Sequence, residues 1–560
     1  MRTEETSDLW WKTAVVYCLD VQTYMDWNDD GTGDFTGLSE RIDYLAQLGV
    51  TCLWLMPFYP TTDLDDGYDI TDYYGIDPRL GHHGDFVALV RTARDRGMRV
   101  IVDLVVNHTS AKHPWFVSAR KSKDSPYRDF YVWTDDPPED TSDQVVFPDE
   151  EDSIWELDEK TGEYYLHHFY KHQPDLNITN PEVRDEISKV MGFWIELGVS
   201  GFRVDAVPFL LGAEGSDGSA DESADPHDYL RSLRGFLNRR LGDSMMLGEV
   251  NLPHKQQLEF FGGKDGSDGD ELTMMFDFTS MQQMYLSLAR QDARPLAATL
   301  ADRPQLPVHC QWANFVRNHD ELTLDQLSDD ERQEVFDAFG PEESMQLFGR
   351  GLRRRLPPML DGDPRRLRMI YSLMFSLPGT PVLFYGEEIG MGENLEIDGR
   401  LAVRTPMQWT DQPNGGFSAA TRRKLVRPVT PGGFGPEHVN VADQRKDPDS
   451  LLGFMELLTA TYRQSPELGW SDVHILDQPH HDVLAHECRW DDRRLVALHN
   501  FGAEPHTVPL QLEADGVRRL ADELSECVVE LDDAGRAEVP LEGYGYRWLR
   551  LIPEDGKRLP

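Results

Sequence analysis

No stretch of this 560-residue chain approaches the roughly twenty consecutive apolar residues that a membrane span requires. Its opening, MRTEETSDLWWK, lacks the basic and apolar regions of a signal peptide. The expectation is therefore no membrane partner and a cytoplasmic protein. Positive charge is scarce: 55 Lys and Arg against 99 Asp and Glu leave a formal net charge of −44. That balance excludes nucleic acid as an expected partner, because phosphates would meet like charge. Cysteine is scarce too. Cys18, Cys52, Cys310, Cys488 and Cys527 are odd in number, scattered and never in a CxxC pair, which argues against a disulfide framework and a thiolate zinc site. They read as small buried hydrophobes. No internal repeat is evident.

What is present is a rhythm. From residue 10 to about 385, strand-length apolar runs alternate with amphipathic helical segments, the pattern of a parallel sheet covered by helices. AVVYCLDV, VTCLWLMPF, MRVIVDLVVNH, GFRVDAV, MMLGEVN, LTMMFDF, WANFVRNHD and TPVLFYGEE are eight strands, the number that closes a (β/α)8 TIM barrel. The barrel is expected over 1–107 and 179–464, and the aromatic, Asp- and Pro-rich segment 108–178 as a small domain inserted after strand three. Residues 321–366, with an N-cap at Ser328 and the basic run GRGLRRRLPP, read as a helical insertion after strand seven. GAEGSDGSADESADPHD and GGKDGSDGDE look like mobile loops. Short alternating runs over 465–560, such as VLAHECRW and RRLVALHNF, predict a C-terminal antiparallel β-sandwich domain.

DWNDDGTGD, residues 26–34, places oxygen-bearing side chains on alternate positions. It begins like a calcium-sensor loop, which needs oxygen ligands at positions 1, 3 and 5 and Gly at 6. The twelfth position, where such a loop supplies a bidentate Glu, is Gly37. A hard cation suits the loop and a sensor role does not; the alternative is a solvated acidic turn.

Barrel enzymes carry out chemistry at the C-terminal strand ends. Here those ends hold Asn107 and His108 (strand three), Arg203 and Asp205 (strand four), Glu249 (strand five), and His319 and Asp320 (strand seven). Three carboxylates from three strands, aimed into one mouth, make up the set that glycoside hydrolysis needs: a nucleophile, a protonated acid and a charge to stabilise an oxocarbenium-like transition state. Taken singly, any such Asp is more often a helix cap or loop anchor.

DLVVNH, GFRVDAV, GEVN and VRNHDE, in that order, resemble the four signature regions of the α-amylase family of glycoside hydrolases, family 13, and QPDLN (173–177) resembles a fifth. The similarity covers essentially the whole chain. It implies Asp205 as nucleophile, Glu249 as general acid/base and Asp320 as transition-state stabiliser. Asp69, His108, Arg203, His319 and Arg404 would hold the sugar in the first subsite, with Tyr68 stacking beneath it and Phe147 nearby. Physical roles agree: Arg203 shares a strand face with Asp205 and can keep it ionised, and Glu249, preceded by MML, should sit where its pKa rises. The alternatives are a surface ion pair for Arg203, a metal site for His108 and His319, and plain packing for Phe147.

QPDLN resembles the oligoglucosidase branch, and Ala206 after the nucleophile is similar to its α-1,4-acting members. The stretches around 318–336 and 349–366, with VRTPMQW and DDGYDITDYYGIDPRLG, are similar to the branch that interconverts maltose and trehalose. The 321–366 insertion would then be a lid against water or, alternatively, a packing or oligomer contact. The alternative activity is a hydrolytic α-glucosidase on maltose, trehalose or short α-1,4 oligosaccharides; a non-catalytic sugar-binding relative would need loss of a carboxylate that is present. The resemblance further implies a structural Ca²⁺ or Mg²⁺ held by Asp26, Asn28, Asp30, Asp34 and the Thr32 carbonyl, and no organic cofactor. A second cation site would use Asn107 and Asp175, but Gly212 stands where its Glu is expected, with Glu214 two residues on. A small α-glucoside is the expected partner, and a homo-oligomer is compatible with the sequence.

Overall fold

The computed structural model describes residues 7–210, 227–513 and 516–553. Eight strands, β1 (Val16–Leu19), β2 (Cys52–Leu55), β3 (Arg99–Leu104), β4 (Gly201–Val204), β5 (Met245–Gly248), β6 (Met274–Phe276), β7 (Gln311–Asn314) and β8 (Thr380–Phe384), close into a parallel barrel. The sheet closes where Val16 of β1 pairs with both Cys52 of β2 and Val382 of β8. These strands are apolar almost throughout because a parallel sheet is covered on both faces. Every residue of β1, β2, β4 and β8 is buried. The outer helices follow the same logic: in His83–Asp95, Phe86, Leu89, Val90 and Ala93 recur at helical spacing and are buried, and a His82/Asp85 capping box starts the helix.

Between β3 and β4 the chain forms a three-stranded antiparallel sheet of Trp133–Thr134, Glu163–Leu166 and Trp155–Asp158, with a small core of Ile154, Trp155 and Leu166. The segment after β7 differs from the helical insertion read from sequence. Its helix, Asp329–Phe339, is present with a Ser328/Glu331 capping box, but Leu322–Thr323, Gly351–Leu352 and Gln346–Leu347 pair as a second small sheet. Strands of two residues carry no readable alternation, so only tertiary contact creates them.

The C-terminal domain combines a six-stranded antiparallel sheet with a two-stranded one around its own apolar core. It seats on the barrel through Trp548 and His499, both 3.0 Å from the Ser372 hydroxyl of helix Pro364–Ser376. Of the two acid- and glycine-rich loops, the first lies almost wholly outside the described residues, Gly212 and Glu214 included. The second is a run of turns with Gly262, Gly263, Gly266 and Gly269 at positive φ, ending at a buried Glu271 paired with His227 and Arg231. No described helix is long and apolar enough to cross a membrane.

Candidate active site at the barrel mouth

The guanidinium of Arg203, on β4, organises the carboxylates. Its Nη1 bonds Asp103 Oδ1 at 2.6 Å and Asp205 Oδ1, and its Nη2 meets Glu249 Oε2 at 2.7 Å. Ala206, directly after Asp205, has φ +48, a left-handed conformation that costs a non-glycine residue about 1–3 kcal/mol. Its N–H donates to Glu249 Oε2 at 3.3 Å. The turn that aims Asp205 thus also fixes Glu249.

Burial lifts the Asp205 carboxyl to about 6 against the pull of Arg203, with Asp103 adding to the rise. Burial lifts Glu249 to about 7, again opposed by Arg203 and reinforced by Asp205 and Asp320. Asp320 goes the other way. Its burial is outweighed by His319, Arg400 and Arg404, which hold it well below the usual carboxylate range. Burial keeps His319 itself down at about 4, so at neutral pH it is uncharged and the cationic share of that pull belongs to the two arginines. Arg400 Nη1 and Arg404 Nη2 reach Asp320 Oδ1 at 2.7 and 2.9 Å. One mouth therefore holds carboxyl groups pushed to opposite ends of their range, the signature of divided acid/base labour.

These groups border a cavity of about 500 Å³, whose wall includes Asp65, Tyr68, His108, Phe147, Asp205, Glu249 and Asp320. Tyr68 stacks on His319 with an interplanar angle of 5° and lies 2.8 Å from its Nε2. Buried His108 lies on the same wall, its ring 5.2 Å from that of Phe169. Phe147 packs 4.9 Å from Phe348, with the Arg400 guanidinium 4.9 Å from its ring. Arg203, His319 and Arg404 stand behind the carboxylates and act through them.

Asp69 is a correction. Its carboxylate turns away from the cavity, accepting from Thr61 Oγ1 at 2.6 Å, Thr62 N at 3.1 Å and Asp65 N at 3.2 Å, so it shapes the 61–65 loop. The carboxylate on the wall is Asp65, which pairs with Arg400 at 2.7 Å and accepts from Gln173 Nε2 at 2.9 Å. Asp65 and Arg400 are absent from the sequence expectations, because no local pattern tells which acidic or basic side chain of a short loop turns to the cavity. So is Asn251, whose amide donates to both oxygens of Asp325 at 2.9 Å on the same wall.

For the cations, Asn107 Nδ2 donates to Asp175 Oδ1 at 3.2 Å, and the other Asp175 oxygen bonds His168. In the 26–34 loop, Asp26 accepts from the N–H groups of Asp29 and Gly31, Asn28 from Asp30, Asp30 from Thr32, and Asp34 from Trp27 and Gly37. Among the described residues no group of three or more His, Cys, Asp or Glu is set to hold a metal. The donors are hard oxygens of suitable chemistry, arranged here as backbone-capped turns.

A barrel mouth that sets a raised carboxyl, Glu249, against an ionised one, Asp320, has the arrangement that glycosidic bond cleavage uses. A model of the α-amylase catalytic domain matches residues 21–338 and 354–470, and a model of the sucrose hydrolase-like C-terminal domain matches 493–550. A trehalose synthase from Pimelobacter sp. (strain R48) is 39% identical over 559 residues, 98% of this chain and 96% of that protein. An oligo-1,6-glucosidase from Halalkalibacterium halodurans is 30% identical, covering 88% of this chain and 91% of its own length. In structure, an isomaltulose synthase variant from Erwinia rhapontici NX5, solved with its natural substrate sucrose, superposes with a TM-score of 0.75 at 26% identity over 97% of this chain and 99% of that one. The chain belongs to the α-amylase family, glycoside hydrolase family 13. It is an enzyme of that family.

Proposed function

We propose that this enzyme interconverts maltose and trehalose by intramolecular transfer of one glucosyl group. Asp205 attacks the anomeric carbon of the non-reducing glucose while Glu249 gives its proton to the departing glycosidic oxygen, forming a glucosyl-aspartate and one free glucose. The retained glucose turns over. Its anomeric hydroxyl then attacks the same carbon, Glu249 takes the proton back, Asp205 leaves, and an α-1,4 bond has become an α,α-1,1 bond. Hanging Asp205 and Glu249 from the two terminal nitrogens of one guanidinium favours the carboxyl separation of retaining enzymes, about 5–5.5 Å, over the roughly 6.5–9.5 Å of inverting ones. Asp320, ionised by two arginines, stabilises the positive charge that develops on the sugar.

The observation that carries this reading is the bridged mouth. Arg350, from the post-β7 insertion, donates to the Val146 carbonyl of the inserted domain at 2.8 Å and pairs with Glu321 at 3.1 Å, while Phe348 meets Phe147. Isomerisation and hydrolysis share the glucosyl-enzyme and differ in whether water reaches it first, so a covered pocket favours the sugar. Similarity to an oligo-1,6-glucosidase supports the second reading, a hydrolytic α-glucosidase. Maltose alone decides: trehalose forming ahead of free glucose supports isomerisation, and glucose accumulating without trehalose sinks it.

A hard cation in the 26–34 loop belongs to the same proposal. Asp26 and Asp34 are buried and, among the described residues, no basic side chain pairs with either; buried carboxylates without a counter-charge are costly. Such an ion would neutralise the loop and take no part in the chemistry.

A further inference from the structure

The basic run Arg353-Arg354-Arg355 is not on the cavity wall, yet each member reaches the same neighbouring segment, residues 385–403, which leaves β8 and leads to Arg404. Arg353 Nη2 donates to the carbonyls of Leu395, at 2.7 Å, and Ile397. Arg354 Nε pairs with Glu393 Oε1 at 2.9 Å, and the other Glu393 oxygen accepts from the Arg355 N–H at 2.8 Å. Arg355, 1% exposed, is the deepest. Its Nε and Nη2 both bond the Val403 carbonyl, at 3.0 and 2.7 Å, and its Nη1 bonds the Tyr385 carbonyl at 2.8 Å. Val403 is the residue before Arg404, and the turn Gly399–Val403 carries Arg400. Both arginines end on the same oxygen of Asp320.

We propose that Arg353, Arg354 and Arg355 are positioning residues that couple the insertion after β7 to catalysis, by holding the backbone that delivers Arg400 and Arg404 to Asp320. A lysine could not substitute at 355, because only the planar fork of arginine reaches two carbonyls from three nitrogens. The coupling has a use. The insertion that bridges the pocket mouth through Arg350 also sets the charge around Asp320 through the next turn of its chain, so an enzyme with a displaced insertion is a poor catalyst as well as an open one. This inference rests on Asp320 as the charge-stabilising carboxylate.

The test measures kcat and KM on p-nitrophenyl α-glucoside for Arg355→Lys and the half-buried Arg353→Gln, with Arg332→Gln, whose side chain pairs with Asp329 on the helix of the same insertion, as control. Misplacing a catalytic group by about an ångström lowers turnover up to about a hundredfold, so kcat is expected to fall ten- to a hundredfold in Arg355→Lys, with KM within about threefold. Arg353→Gln follows in the same direction, and Arg332→Gln stays near wild type. Because the triplet acts through Asp320, the double variant Arg355→Lys/Asp320→Asn is expected to be no slower than Asp320→Asn alone. Additive losses, or lower thermal stability with kcat per folded molecule unchanged in both arginine variants, would overturn the proposal. Asp320→Asn with full turnover would instead remove the assignment of Asp320.

Discussion

Replacing Arg350 by Ala isolates the link between the bridged mouth and the fate of the glucosyl-enzyme. Arg350 lines the cavity but is remote in sequence from the carboxylates, and makes three contacts: the Val146 carbonyl at 2.8 Å, Glu321 at 3.1 Å, and the Phe348 ring at 5.4 Å from its guanidinium carbon. A hydrogen bond from a charged donor contributes about 1.5–3 kcal/mol. The ion pair, with Arg350 a quarter exposed, adds at most about 1 kcal/mol. Of these three contacts the bond to Val146 is the one that crosses to the inserted domain, beside the Phe348–Phe147 contact that the substitution leaves in place, so the covered state should lose about 1.5–3 kcal/mol relative to the open one, a shift of about ten- to a hundredfold in their ratio. The assay is the ratio of free glucose to trehalose in the initial products from maltose. That ratio is expected to rise by about the same factor, and total glucosyl-enzyme formation, read as the sum of both products, to change far less. An unchanged ratio in folded Arg350→Ala would refute the reasoning, because water access would then not depend on this contact.

Three further outcomes follow from the charges. Turnover should be bell-shaped in pH: activity falls below about 6 as Asp205 takes up a proton and above about 7 as Glu249 loses its own, with macroscopic values that belong to the coupled pair; a flat profile from pH 5 to 8 would contradict both assignments. His486 and His499, buried at the seat of the C-terminal domain, are held neutral by burial, His486 down to about 4. The unfolded chain therefore binds protons that the folded one refuses. Stability is complete above the ordinary histidine value of 6.5 and falls as pH drops toward 4, by about 3 kcal/mol for His486 alone; calorimetry at pH 7 and 5 should show the melting temperature drop, less so in His486→Gln. Finally, chelation should lower the melting temperature without changing the turnover of molecules that stay folded, and an identical melting curve with and without chelator would remove the ion from the 26–34 loop.

Much of the architecture was legible because its signals are local. Each barrel strand is an apolar run whose burial on both faces follows from the parallel sheet, and each helix beside it shows its stripe and its cap. Asp205 and Glu249 directly follow β4 and β5, so strand direction brings them to one mouth; Asp320 lies beyond the end of β7, and the roles expected of all three came from the resemblance of the ordered motifs. Asp69 and Asp65 show where this stops. Both flank Tyr68 in one short loop, and nothing in DDGYD says which carboxylate faces the cavity; that depends on Thr61 and Thr62 binding one and Arg400 the other.

By itself, then, the sequence determined the eight-stranded barrel, the family's ordered motifs and the acidic groups at its mouth, because periodicity and strand direction are properties of contiguous residues. Only the tertiary structure decided which carboxylate lines the wall, that Arg400 shares Asp320 with Arg404, that two-residue strands turn the insertion after β7 into a small sheet, and that three consecutive arginines grip the segment leading to Arg404. Each of those depends on groups brought together by the fold at hydrogen-bond distance, Arg400 and Asp65 more than three hundred residues apart, a condition set by packing and not by any local pattern.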